Sequence, residues 1–287
     1  MLRLADHWIW DSWLARDGGE HHLFFLCAPR ALGDPERRHL HAAIGHATSR
    51  DLRRWERQPD ALVRSDPPAW DDQTLWTGSA IQGPDGRWHL FYTGLSQAEE
   101  GIVQRIGSAV SADLTTWTRS ADGPLLESDL RWYERETWRD PFVMRDPGGD
   151  GWHLLITARA DGAGVIGHAR SADLEAWEVL EPLTRPGGFG YLEVPHPAVV
   201  DGQPVLMFSC DHAVWVAPGE SLLGPWSIED SVALEHPSLY AGRFVQDGDG
   251  RWCVIGFRDY EDGAFVGEIV DPLPLERHGR VVRIAGP

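Results

Sequence analysis

Three acidic residues stand where apolar stretches begin: Asp11 in Trp-Asp-Ser-Trp (Trp10–Trp13), Asp140 in Trp-Arg-Asp-Pro (Trp138–Pro141) and Glu193 in Leu-Glu-Val-Pro (Leu192–Pro195). If a fold brings three carboxyls into one confined space they repel, and at least one keeps its proton above the usual carboxylate range. Such a cluster costs stability unless a ligand or a reaction uses it. Two carboxyls flanking a glycosidic bond, one as nucleophile or base and one as acid, form the general arrangement of glycoside hydrolysis. A third can hold sugar hydroxyls. Taken singly, each acid reads equally well as a turn residue or as a partner of Arg139 or Arg243. Three at matching points of a repeat favour the chemical reading.

Matching points require a repeat, and one is present. Five turn-plus-strand segments share a pattern: Gly18–Ala28, Asp85–Gly94, Asp150–Ala158, Asp201–Cys210 and Asp249–Phe257. Four of them open on Asp-Gly, a hairpin turn signal. Each is preceded by another apolar strand, starting near Trp10, Trp76, Trp138, Leu192 and Tyr240. A second repeat, Ser-x-Asp-Leu-x-x-Trp, occurs at Ser49–Trp55, Ser111–Trp117 and Ser171–Trp177, with a weaker copy at Ser221–Trp226. It predicts a tight turn in which Ser and Asp bond the backbone, with Leu and Trp packing the next strand onto its own unit. Each unit is thus four short strands. The points Asp11, Thr77, Asp140, Glu193 and Ala241 lie 66, 63, 53 and 48 residues apart. Four-stranded repeats of roughly 40 to 50 residues indicate a β-propeller. The expected fold is all-β: a single five-bladed β-propeller over residues 1–287, four antiparallel strands per blade, with no C-terminal β-sandwich. The leading strand of each blade should line the axis.

Composition narrows the partners. The 287 residues are 42% hydrophobic with 15 Trp, a globular composition. A formal charge of −18 excludes nucleic acid as an expected partner, because no basic patch stands out from that field. All 26 basic residues are Arg. No run reaches the roughly 18 apolar residues of a membrane span, and the N-terminal stretch lacks a signal-peptide pattern. A cytoplasmic protein with no membrane partner is the expectation. Cys27, Cys210 and Cys253 fall in apolar strands and read as reduced, buried thiols. The 13 His show no metal-ligand spacing, so neither a metal nor a cofactor is expected. Asp247–Gly250 reads as a hairpin turn rather than a calcium loop. The sequence carries no signal for oligomeric state.

The same residues carry a family resemblance. Trp10–Trp13 resembles the nucleophile motif of family 68 glycoside hydrolases, the levansucrases and their relatives. Trp76–Ala80 is similar to the Trp-Ser-Gly-Ser-Ala segment shared by families 68 and 32, and Leu90–Gly94 resembles the following strand of family 32, the invertases and fructanases. Arg139–Pro141 matches the Arg-Asp-Pro motif of both families. Glu193–Pro195 stands where family 32 has Glu-Cys-Pro, and Tyr240-Ala241 resembles its fifth blade. The resemblance implies a retaining hydrolase of β-fructofuranosides, with fructosyl transfer as a related activity and a small sugar as substrate. It implies that Asp11 is the nucleophile, that Asp140 stabilises the transition state, and that Glu193 is the acid/base. In those roles the Glu193 pKa should sit above that of Asp11. Thr77 replaces a Ser that supports the nucleophile, and Arg139 is expected to hold Asp140 ionised.

The expected substrate contacts are Trp10, Trp76, Thr77, Arg139, Tyr191, His196 and Tyr240. Trp8, Trp70, Trp138 and the Asp211-His212 pair are lesser candidates, since most Trp in such a fold pack blades. Two rivals remain. One is a family 43-like inverting arabinofuranosidase or xylosidase, which shares the five blades and three carboxylates. The other is a non-catalytic sugar-binding propeller.

Overall fold

The computed structural model describes residues 1–286, and Pro287 lies outside the described residues. Among the described residues, twenty-one strands and four short 3-10 turns make five sheets around one axis. Blade one holds β1 (His7–Asp17), β2 (Glu20–Pro29), β3 (Ala43–Ser49) and β4 (Glu56–Leu62). Blade two holds β5 (Thr74–Gln82), β6 (Trp88–Leu95), β7 (Arg105–Ser111) and β8 (Thr118–Arg119). Blade three holds β9 (Trp138–Arg145), β10 (Trp152–Ala160), β11 (Ala163–Ser171) and β12 (Trp177–Leu180). Blade four holds β13 (Glu193–Val200), β14 (Gln203–Cys210), β15 (Ala213–Pro218) and β16 (Val232–Ala233). Blade five holds β17 (Leu239–Gln246), β18 (Trp252–Glu261), β19 (Ala264–Ile269), β20 (Leu273–His278) and β21 (Val281–Ile284).

Blade five departs from the four-strand expectation because its third strand is broken. β19 pairs with Phe257–Glu261 of β18, while β20 pairs with Cys253 and Val254. Pro272 sits at the break, where its missing N–H removes no ladder bond. The ring closes through Leu2, which exchanges two backbone hydrogen bonds of 3.0 Å with Ile269. The second strands supply the cores: β2, β6, β10, β14 and β18 are almost continuously buried apolar runs, as strands covered on both faces must be. The three cysteines are free and buried.

The Ser-x-Asp-Leu-x-x-Trp turns form as the sequence suggests. The Asp51 carboxylate accepts from the backbone N–H groups of Arg53 (2.9 Å) and Arg54 (2.7 Å), and Asp113 and Asp173 repeat the pattern. Leu52, Leu114 and Leu174 sit at positive φ (60, 60 and 68°) with their side chains buried. Two of the Trp rings also reach the neighbouring blade, while their indole N–H groups donate to the Leu114 and Leu174 carbonyls of their own turns. Trp117 of blade two meets Phe24 of blade one edge-on at 5.7 Å, and Trp177 of blade three meets Phe91 of blade two at 5.3 Å. The left-handed Leu turns the chain so that the following Trp reaches across, making the motif a clamp between neighbours.

Candidate active site

The five inner strands β1, β5, β9, β13 and β17 contact one another in a ring. In every one of them the pairing register breaks at the same height: after Trp10, Trp76, Arg139, Glu193 and Tyr240. The residue that follows is a bulge, and in four blades it is a non-glycine at positive φ: Asp11 (30°), Asp140 (56°), Val194 (54°) and Ala241 (47°). Bulges re-aim side chains and strained backbone clusters at functional sites. Their positions correct the sequence reading by one residue. Asp11 and Asp140 are the bulged residues, whereas Glu193 stands one step earlier, level with Trp10, Trp76, Arg139 and Tyr240. The acid/base candidate is therefore displaced along its strand relative to the other two carboxyls.

A cup of about 910 Å³ opens at that height, lined by Trp10, Asp11, Trp76, Thr77, Arg139, Asp140, Tyr191, Glu193 and Tyr240 among others. Asp11 accepts a hydrogen bond from the Thr77 hydroxyl at 2.5 Å. Asp140 accepts from the Thr157 hydroxyl (2.9 Å) and the Val194 N–H (3.4 Å), and its own N–H donates to Thr93. Glu193 is gripped at both oxygens, by Arg139 at 2.5 Å and by the Tyr240 hydroxyl at 2.5 Å. Arg139 approaches Asp140 only to 3.6 Å, so its main partner is Glu193 and not Asp140 as expected. The guanidinium is also held by Gln104 at 3.3 Å and lies 4.9 Å above the Tyr191 ring.

Electrostatics follow depth. Burial first, then the negative charge of Asp140, push the Asp11 carboxyl up to about 7, against the Thr77 hydrogen bond. Burial also raises Asp140, with Arg139 opposing it. Asp11 is held by a hydroxyl and, among the described residues, has no cation in contact to offset its burial. His39 is lowered to about 4 by burial and by Arg38, so it lines the cup as a neutral ring.

His196 is placed elsewhere. It lies three residues below Glu193, roughly 10 Å along a strand, wedged against Phe142 at 4.4 Å, with its Nδ1 accepting from the Phe244 N–H at 3.2 Å. Trp8, Trp70 and Trp138 also leave the cup: they pack on Phe265, Tyr92 and Tyr133. The sequence reading missed Glu36, Arg38 and His39, which the loop between β2 and β3 folds over the mouth. Arg38 lies over Trp10 at 5.6 Å, and His39 accepts from the Trp76 indole N–H through its carbonyl at 2.7 Å. Asp259 was missed too; it holds His212 at 2.5 Å on the opposite rim. Here a signal existed. Asp161-Gly162, Asp201-Gly202 and Asp262-Gly263 fill two-residue turns at positive φ, and Asp211-His212 does the same with His in the glycine place.

The arrangement can protonate or deprotonate an oxygen at the rim, present a carboxylate from the floor, and grip hydroxyls between them. Comparison with known proteins places it. The sequence model of the glycosyl hydrolases family 32 N-terminal domain matches residues 7–262. Sucrose-6-phosphate hydrolase of Bacillus subtilis is 30% identical over 202 residues, 67% of this chain and 39% of that protein. The chain thus spans less than half the length of that relative. Inulosucrase from Halalkalicoccus jeotgali bound to kestose superposes with a TM-score of 0.80 at 25% identity, covering 99% of this chain and 88% of that one. Fructan 1-exohydrolase IIa from Cichorium intybus shares the fold, with a TM-score of 0.80 at 19% identity over 98% of this chain and 58% of its own.

Proposed function

We propose that this chain, which belongs to glycosyl hydrolase family 32, hydrolyses β-fructofuranosides with retention of configuration. The observation that carries this reading is the division of the three carboxyls: Asp11 and Asp140 on bulges at the floor, Glu193 one step away between Arg139 and Tyr240. In the first step Asp11 attacks the anomeric carbon of the fructosyl unit while Glu193 gives a proton to the departing oxygen. The bond to the leaving group breaks and an ester to Asp11 forms. In the second step Glu193 takes a proton from water, the water oxygen attacks the same carbon, and the Asp11 ester bond breaks. Asp140, fixed by Thr157 and the Val194 N–H, faces the sugar hydroxyls and the positive charge that develops on the ring. Three carboxyls against the cations Arg139 and Arg243 leave the ionised site net negative, which suits an oxocarbenium-like transition state.

Fructosyl transfer belongs to the same proposal as a minor activity, with a sugar hydroxyl in place of water in the second step. Likeness to an inulosucrase supports it. Two further proposals rest on the sequence argument alone: that residues 1–287 act as one catalytic propeller, and that the protein is cytoplasmic. The test is incubation with sucrose, inulin and levan, followed by chromatography. Free fructose is expected from sucrose, and kestose-sized products would report transfer. Release of arabinose or xylose from their furanosides or pyranosides, with no fructose from any substrate, would overturn the reading.

A further inference from the structure

Arg243 is a buried cation with no carboxylate in contact among the described residues. It stands on β17 at the bottom of the axis with 2% of its surface exposed. Its guanidinium donates to the carbonyls of Ser12 (3.2 Å), Pro195 (3.1 Å) and Gly78 (3.4 Å), from blades one, four and two. Each of those carbonyls belongs to the residue just after a bulge: Asp11, Val194 and Thr77. Blade three follows the same rule with another donor, the Ser79 hydroxyl on the carbonyl of Pro141, next to Asp140. The bulges therefore turn a set of carbonyls toward the axis, and buried carbonyls need donors.

Neutral donors would satisfy carbonyls at less cost than a desolvated guanidinium. Burial lowers Arg243 only to about 10, so it stays charged across the working range. The groups that feel it are Asp11 and Asp140 above and His196 beside it. The ring of Phe142 lies 5.7 Å from it. Asp11 in turn faces Asp140, Glu193 and the Thr77 hydroxyl.

We propose that Arg243 is a positioning residue of the cup, whose hydrogen bonds fix the bulges and whose fixed charge opposes protonation of Asp11 and Asp140 from below. This rests on the reading of Asp11 as nucleophile. It makes Arg243 the counterpart of Arg139, which serves Glu193 at the rim.

Two variants separate charge from hydrogen bonding. Arg243→Gln keeps amide donors and loses the charge; Arg243→Lys keeps the charge and loses the planar fork. The pH profile of kcat/KM on sucrose reports the free enzyme. Arg243→Gln should move the acid limb upward by about one unit or more, the size of a close opposite charge, while Arg243→Lys leaves it in place at a lower rate. An acid limb unmoved in Arg243→Gln overturns the proposal. A second readout needs no turnover. At pH 8, the folding constant lost through Arg243→Gln should be at least about tenfold smaller in an Asp11→Asn background, because only Asp140 is then left uncompensated. Equal losses in both backgrounds overturn the proposal. If Arg243→Gln does not fold, recovery of folded protein from the double variant supports it, and an equally unfolded double variant overturns it. Should wild type release no sugar from fructosides, the catalytic reading falls while this cycle still decides the charge coupling.

Discussion

Replacing Asp11 should stabilise this protein, and only at neutral and alkaline pH. Burial and Asp140 hold the Asp11 carboxyl at about 7 against an ordinary value of 3.8. The native state therefore binds this proton more tightly than the unfolded chain between about pH 4 and pH 7. Stability conferred by the protonated form is complete below about pH 4 and is lost as pH rises through 7. The displacement is about 3 units at 1.36 kcal/mol each, a ceiling of about 4 kcal/mol. Asp11 borders an open cup, so water screens part of the cost, and about half that figure is the expectation. Asn cannot ionise, can accept the Thr77 hydrogen bond, and tolerates left-handed φ. Asp11→Asn should match wild type in denaturant melts at pH 4 and exceed it by roughly 2 kcal/mol at pH 8. A gap that is constant from pH 4 to 8, or a less stable variant at pH 8, would refute the electrostatic account of the cup.

Other expectations follow from single contacts. Arg139→Gln removes the cation between Glu193 and Asp140 and should lower kcat on sucrose by about 10 to 100-fold, with the near-UV circular dichroism unchanged. Ser79→Ala leaves the Pro141 carbonyl and the Val143 N–H unpartnered; chemical denaturation should show a loss of about 1 to 3 kcal/mol. Trp177→Ala opens the seam between blades two and three and should cost about 2 to 3 kcal/mol by the same measurement. A loss below about 0.5 kcal/mol, as for ordinary surface positions, would mean that Trp177 is no clamp.

The fold was legible because its signals are local. Asp-Gly turns, the Ser-x-Asp-Leu-x-x-Trp turns and apolar second strands each specify a few bonds between near neighbours. Asp11, Asp140 and Glu193 were legible for the same reason, each standing at a strand head beside Trp, Pro or Arg. Their relative height was not, because a bulge adds a residue to one strand without leaving a mark in composition. That one-residue offset carries Glu193 to the rim, and His196 lies far enough along the same strand to end between Phe142 and Phe244. The mouth was least legible. Arg38, His39 and Asp259 reach it from loops and strand ends of blades one and five, and no spacing connects them to the carboxyls. The His at the glycine place of the Asp211-His212 turn was readable, since its backbone strain needs an explanation and its contact with Asp259 gives one.

The assignment of roles is tested most directly by trapping the intermediate on Glu193→Ala. This variant loses proton transfer, a contribution of roughly 10² to 10⁴-fold, but should still form the Asp11 ester from fructosyl fluoride, whose leaving group needs no proton. Azide, small and already ionised, should then capture the fructosyl unit and give a fructosyl azide of retained configuration. An inverted azide, or rescue by azide of Asp11→Asn in its place, would contradict the account.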